Sequence, residues 1–230
     1  MNKKERLKYI VELLDNIKRI HVIDLAKELK TSDDTIRRDI EQLDKEGALT
    51  KVHGGAISKS HIPPEFRLRE KLKMEEKEAL AERVIPMIEN EKIVLIDGGT
   101  TNLEIARQIP SYFSGRIITN SLPLATLLCA NKSIDITLLG GNIFKASQIT
   151  IGAELIIVVQ HLFADVFIMG AGAVHSVYGI TVPDREEALI KKEMMKRAKK
   201  VIVPVTSEKK EVTEPFKICS IEEVKIVEVG

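Results

Sequence analysis

The stretch Ser32-Asp33-Asp34-Thr35-Ile36-Arg37-Arg38-Asp39-Ile40 carries the punctuation of a helix start. The Ser32 hydroxyl is suited to cap a free backbone N–H, and Asp33 and Asp34 fall in the first turn, where the helix dipole favours negative charge. Ile36, Ile40 and Leu43 recur at intervals of three and four, so the helix Ser32–Glu46 has one buried face. Gly47 ends it. Asp33, Thr35, Arg37 and Arg38 are left on the exposed side or its border. Taken alone, the arginine pair reads as a solvated face balanced by Asp33, Asp34 and Asp39.

The neighbouring elements change that reading. Upstream, Leu7, Ile10, Val11, Leu14 and Ile17 mark one apolar face of a helix from Lys3 to about Lys18, with Asn2 as N-cap. A second short helix runs from about Ile23 to Lys30. Downstream, Ala48–Val52 and Ala56–Ser58 read as two short strands joined by His53-Gly54-Gly55. Three helices and a hairpin make a winged helix-turn-helix, whose third helix enters the major groove. Arg37 and Arg38 are then candidates for guanine or phosphate, and Ser32, Asp33 and Thr35 for the border of that contact. Lys51 and His53 in the wing are candidates for flanking phosphates or the minor groove. The polar stretch Ser58–Glu65, with Pro63-Pro64, reads as a linker. A charged helix from about Phe66 to Asn90 follows, with a kink or break expected at Pro86.

Beyond it the rhythm becomes strand, loop, helix. Lys92–Ile96 leads to Asp97-Gly98-Gly99-Thr100-Thr101, Arg116–Thr119 to Asn120-Ser121, Ile134–Leu139 to Gly140-Gly141, and Val166–Met169 to Gly170-Ala171-Gly172. The helix Arg185–Ala198 and strands Val201–Val205 and Val224–Val229 complete a mainly parallel, Rossmann-like α/β domain. Loops that follow parallel strands gather at one edge, where ligands bind. There the glycines allow close backbone approach, the hydroxyls donate, and the helix start at Gly99-Thr100 attracts an anion. Any one glycine pair is explained by a tight turn. Four such loops at one edge, with Thr-Thr and Asn-Ser among them, point to a phosphate-bearing ligand.

These segments resemble the DeoR family of bacterial transcriptional regulators. Arg6, Ile10, Leu14 and the run from Ser32 to Ile40 are similar to its helix-turn-helix, and Lys51-Val52-His53-Gly54-Gly55-Ala56 to its wing. IDGGTT, ITNSLPLA, LLGG, ADVFIMGAG and PDREEALIKKEMM follow the same order through the second half. The resemblance implies a sensor domain similar to sugar-phosphate isomerases that binds sugar phosphates. By that analogy Asp97, Thr100, Thr101, Asn120, Ser121, Gly141, Gly172, Glu187 and Lys191 are pocket candidates, although Glu187 and Lys191 read equally well as a solvated helix face. Related isomerases carry an Asp-Gly-Ala-Asp segment. Here Met169-Gly170-Ala171-Gly172 stands in its place, so the acid–base carboxylates are missing and sensing without turnover is expected. Where the family usually shows an Asp and then a Ser-Lys pair, this chain has Val205, Thr206, Ser207 and Glu208.

Charge and composition bound the rest. Net charge is +1, and residues 1–60 hold thirteen Lys or Arg against eleven Asp or Glu, so DNA affinity must come from local placement. Cys129 and Cys219 sit in apolar runs and read as reduced core thiols. No metal, cofactor or catalytic constellation stands out. The charged amino terminus and the lack of a membrane-length apolar run predict a cytoplasmic protein. The expected organisation is a DNA-binding domain over 1–58, a linker and helix start over 59–75 and an effector-sensing domain over 76–230. Its partners are a double-stranded operator, a small phosphorylated metabolite and further copies of the chain. The alternative is an isomerase-like enzyme carrying an accessory DNA-binding domain.

Overall fold

The computed structural model describes residues 1–17, 19–58 and 66–229, leaving aside the side chains of 15–17 and 68. It divides into two compact units, Met1–Leu72 and Lys73–Gly230.

The first unit runs α1 (Lys3–Ile17), β1 (Arg19–His21), α2 (Val22–Glu28), α3 (Asp33–Lys45), β2 (Leu49–Val52), β3 (Gly55–Ser58) and α4 (Phe66–Lys71). At the start of α1 the Asn2 side chain accepts from the Glu5 amide at 2.9 Å, and the Glu5 carboxylate accepts from the Asn2 amide at 3.0 Å. This reciprocal cap satisfies two donors that the first turn leaves free. Ile10 and Leu14 of α1, Leu25 of α2 and Ile36, Ile40 and Leu43 of α3 bury into one core with Ile20, Leu49 and Ala56. The sequence reading lacked β1, which adds a third strand to the wing in the order β1-β3-β2, all antiparallel. Its close approach explains Gly55: a Cβ there would lie 1.8 Å from the Ile20 carbonyl oxygen. The linker expected over Ser58–Glu65 lies, after Ser58, outside the described residues.

The second unit opens with α5 (Met74–Ile88). The helix expected over Phe66–Asn90 is thus two helices, parted at Leu72-Lys73, where Lys73 takes a left-handed φ of 53°. Pro86 sits inside the last turn of α5 without ending it. There follow β4 (Ile93–Ile96), α6 (Thr100–Arg107), β5 (Arg116–Thr119), α7 (Leu122–Leu128), β6 (Asp135–Leu138), β7 (Asn142–Phe144), β8 (Ile149–Ile151) and α8 (Ala153–Gln160). The chain continues through β9 (Ala164–Ile168), β10 (Ala173–His175), β11 (Gly179–Val182), α9 (Arg185–Lys196), β12 (Ala198–Val205), β13 (Phe216–Cys219) and β14 (Lys225–Glu228).

Six of these strands form a wholly parallel sheet in the order β14-β12-β9-β4-β5-β6. The first three strands in sequence build outward from β4 in one direction. The next three build outward from β9 in the other. The order reverses between β4 and β9, and a crevice opens at the carboxyl ends of strands at such a reversal. Val94, Leu95 and Ile96 of β4 and Val166, Phe167 and Ile168 of β9 are all fully buried, which is why both read as unbroken apolar runs. The hairpin β7–β8 and the antiparallel sheet β10-β11-β13 hang on this frame.

Candidate functional site

In the first unit α3 has the expected cap: the Ser32 hydroxyl accepts from the Thr35 amide at 3.3 Å and lies 2.9 Å from the Thr35 hydroxyl. Arg37 and Arg38 are exposed, as are Asp33, Lys51 and His53, while Thr35 is half-buried. Neither guanidinium enters an ion pair among the described residues, so both remain free to meet phosphate or base. Lys51 is tethered by its backbone, whose amide donates to Asp44 Oδ1 at 3.0 Å. The expectation for Asp39 is corrected. It is not a solvated counter-charge but a buried residue on the apolar stripe of α3, paired with Arg6 of α1 at 2.5 Å.

In the second unit the reversal point holds a buried cluster of three charges. Asp97 directly follows β4. Its Oδ1 accepts from Asn102 Nδ2 at 2.8 Å and from the Gly170 amide at 2.7 Å. Its Oδ2 pairs with the ammonium of Lys191 on α9. Lys191 also donates to the Gly170 carbonyl at 2.8 Å and lies 3.3 Å from Glu187. Burial pushes the Asp97 carboxyl up to about 6 against the pull of Lys191, and Glu187 adds to the rise. Burial lowers Lys191, but two carboxylates outweigh it and hold the ammonium above its ordinary value. Two carboxylates face one cation, so the cluster carries an excess negative charge. Glu187 and Lys191 therefore do not lie on a solvated face.

At the start of α6 and after β5 stand polar atoms with no partner. Thr101 Oγ1, Asn102 Oδ1 and Asn120 Oδ1 are buried and make no hydrogen bond. Both amides are pinned by their nitrogens: Asn102 Nδ2 also donates to the Asp97 and Ile168 carbonyls, and Asn120 Nδ2 to the Thr150 carbonyl at 3.0 Å. Their free oxygens are thus acceptors awaiting donors. Thr100 is buried beside them in the first turn of α6. Gly99, at φ 129°, precedes that turn with open space where a Cβ would stand.

Other expected pocket residues are accounted for by the chain itself. A Cβ on Gly141 would lie 2.4 Å from the Ile151 carbonyl, one on Gly172 2.9 Å from the Thr181 carbonyl, and one on Gly98 2.1 Å from the Ile149 side chain. Gly141 and Gly172 let the two arms of their own hairpins close, and Gly98 lets β8 approach the loop after β4. The Ser121 hydroxyl accepts from the Leu124 amide at 3.5 Å, capping α7. After β12, the Thr206 hydroxyl donates to Glu208 at 2.6 Å, while Ser207 donates from both amide and hydroxyl to Glu76 at 2.8 Å. Cys219 is buried and its thiol pushed up to about 12 by burial, but Cys129 is exposed, contrary to the core role expected of it. Among the described residues no group of His, Cys, Asp or Glu is arranged to hold a metal, and no helix is long and apolar enough to cross a membrane.

Compared with known proteins, residues 6–61 match the DeoR-like helix-turn-helix domain and residues 72–228 match the DeoR C terminal sensor domain. The chain belongs to the DeoR family of transcriptional regulators. It is 30% identical to the HTH-type transcriptional regulator GlpR of Haloferax volcanii over 86% of this chain and 78% of the relative. It is 28% identical to the HTH-type transcriptional repressor GlcR of Bacillus subtilis over 99% and 88%. Among solved structures, ribose 5 phosphate isomerase A from Neisseria gonorrhoeae aligns over 63% of this chain and 55% of that one, at 16% identity and a TM-score of 0.42. The eIF2B delta subunit from Chaetomium thermophilum aligns over 86% and 63%, at 13% identity and a TM-score of 0.48.

Within this DeoR-family chain, sequence reading missed two residues. Asn102 stands one position beyond the quoted Thr-Thr, and a polar residue in the first turn of a helix that buries Leu103, Ile105 and Ala106 was its only signal. Asp39 falls on the apolar stripe of α3, but a carboxylate next to two arginines reads as surface.

Proposed function

We propose that this chain is a repressor whose affinity for a double-stranded operator is set by a phosphorylated sugar or related metabolite. The observation that carries the reading is the buried cluster Asp97–Lys191–Glu187 at the strand reversal, together with unpartnered buried atoms on Thr101 and Asn102 at the start of α6 and on Asn120 after β5. Buried polar atoms without partners are costly, and a bound ligand would satisfy them. The excess negative charge suits ligand hydroxyls rather than phosphate. The phosphate is assigned instead to Gly99, Thr100 and Thr101 at the start of α6, where backbone N–H groups and the helix dipole favour an anion. DNA contact is assigned to Arg37 and Arg38 of α3, with Ser32, Asp33, Thr35, Lys51 and His53 around them. Repression is supported by relatives such as GlcR, which is named a repressor. A homo-oligomer is the working form, because paired helix-turn-helix units double the contacts on a palindromic site.

The test is a thermal-shift screen of phosphorylated sugars, followed by DNA binding with each hit. At least one sugar phosphate should raise the unfolding midpoint and change DNA affinity. A screen without a single shift overturns the sensor assignment.

One observation favours a second reading, an isomerase-like enzyme: a buried carboxyl near 6 lies in the range of a general base. Against it, both Asp97 oxygens are already engaged by Lys191, Asn102 and Gly170. Turnover of pentose or hexosamine phosphates decides between the two.

A further inference from the structure

Arg6 and Asp39 belong to the sequence motif of the first unit, yet neither faces outward with Arg37 and Arg38. Asp39 occupies a place on the stripe Ile36, Asp39, Ile40 and Leu43 where helix period alone calls for an apolar side chain. Its side chain is 2% exposed. Arg6 Nε donates to one carboxylate oxygen at 2.5 Å and an Arg6 terminal nitrogen to the other at 3.3 Å. Hydrogen bonding to Asp39 holds the Arg6 guanidinium above its ordinary value despite its desolvation. Among the described residues Arg6 is the recorded charged partner of Asp39.

Such a pair does something that the surrounding apolar contacts do not. Ile10 and Leu14 of α1 bury into the same core as α3. Apolar contacts of that kind are non-directional and tolerate sliding and rotation. A planar fork on a carboxylate fixes distance and orientation together. Arg37 and Arg38 precede Asp39 by two positions and one, so they project from other sides of the same helix. A rotation of α3 at Asp39 therefore re-aims both of them.

Resting on the reading of α3 as the DNA-facing helix, we propose that Arg6 is a positioning residue for DNA recognition. Through Asp39 it fixes the rotation of α3 at which Arg37 and Arg38 meet the duplex. It also neutralises a carboxylate that would otherwise sit beneath them and repel phosphate.

The experiment uses the full chain and a labelled duplex enriched from a random library by the parent protein. Gel-shift affinity is measured at fixed salt, well below each variant's unfolding midpoint, so that only folded protein is compared. Arg6→Met with Asp39→Leu replaces the pair by apolar groups, a change that buried ion pairs often tolerate without loss of stability. Arg6→Lys keeps the charge and loses the fork. The proposal expects the folded apolar variant to bind about tenfold or more weakly, the size of effect of displacing a DNA-contacting arginine. Arg6→Lys should also bind more weakly than the parent. Parent-like affinity in the folded apolar variant overturns the proposal. If that variant fails to fold, Arg6→Lys decides in the same way, weaker binding supporting and parent-like binding overturning it. Arg37→Ala with Arg38→Ala is the separate control. Unchanged affinity there defeats the reading of α3 itself, whatever Arg6 does.

Discussion

Lys191 on α9 reaches back ninety-four residues to close on the Asp97 carboxylate at the end of β4, and both side chains are at most 3% exposed. The pair spans the point where strand order reverses, and it ties α9 to the two central loops of the sheet through the Gly170 carbonyl and amide. Removing one partner leaves a charge buried without compensation, which typically costs about 3–5 kcal/mol. Lys191→Met should therefore lower the unfolding midpoint by roughly 6–20 °C for a unit of this size. Calorimetry checks this. A midpoint within the error of the parent's would mean that the cluster is hydrated and weakly coupled.

The same cluster predicts a pH dependence of known sign. Burial raises Asp97 from 3.8 to about 6. Between those values the folded chain binds a proton that the unfolded chain has released, so the contribution of Asp97 to stability is fully present below about 4 and is lost as pH rises through 6. The swing is roughly 3 kcal/mol, from about two pKa units. Asp97→Asn cannot titrate and lacks it. The stability difference between parent and Asp97→Asn, measured by urea unfolding from pH 4 to pH 7, should move against the parent as pH rises. A difference that is flat, or that moves toward the parent, contradicts the assigned direction.

How far the sequence carried these conclusions depends on the length scale of each signal. Ile36, Ile40 and Leu43 disclosed the buried face of α3, and Ser32 its cap, because both signals are local. The apolar runs of β4 and β9 disclosed a parallel sheet, because central strands are buried on both sides. The three residues of β1 were too few for alternation to show. The break at Lys73 had no Gly or Pro to announce it, since a lysine adopts the left-handed turn. Glu187 and Lys191 stand four apart on a helix, a spacing shared by surface ion pairs. Only the long-range approach of Asp97 tells them apart. The glycines at 141 and 172 read as a ligand cradle, and each also faces a neighbouring backbone carbonyl that leaves no room for a Cβ.

Thr101 allows the proposed ligand site to be tested apart from folding. Its hydroxyl is buried and has no partner, so the chain gains nothing from it in the absence of ligand. Thr101→Val keeps the shape and removes the orphan group, and stability should be unchanged or higher by up to about 1 kcal/mol. If Thr101 binds the effector, affinity for a sugar phosphate found in the thermal-shift screen should fall about tenfold, while DNA affinity without ligand stays at the parent's level. Isothermal titration and gel shift measure the two sides. Undiminished ligand affinity removes Thr101 from the pocket.

Arg37 and Arg38 are exposed and have no competing ion pair among the described residues, so the role in DNA binding proposed for them is separable from stability. Surface substitutions away from special features change stability by about 0.5 kcal/mol or less, so Arg37→Ala and Arg38→Ala should unfold close to the parent. Their effects on DNA differ by what each arginine touches. Loss of a phosphate contact weakens binding uniformly across sequences and reduces the slope of log affinity against log salt by about 1. Loss of a bidentate contact to guanine costs about 1–3 kcal/mol and relaxes preference at one base position. Measuring both variants on the enriched duplex and on a scrambled one, across a salt series, assigns a role to each. A residue whose removal changes neither slope nor sequence preference does not face the duplex. If that holds for both, α3 is not the reading helix, because no other exposed arginine occupies it.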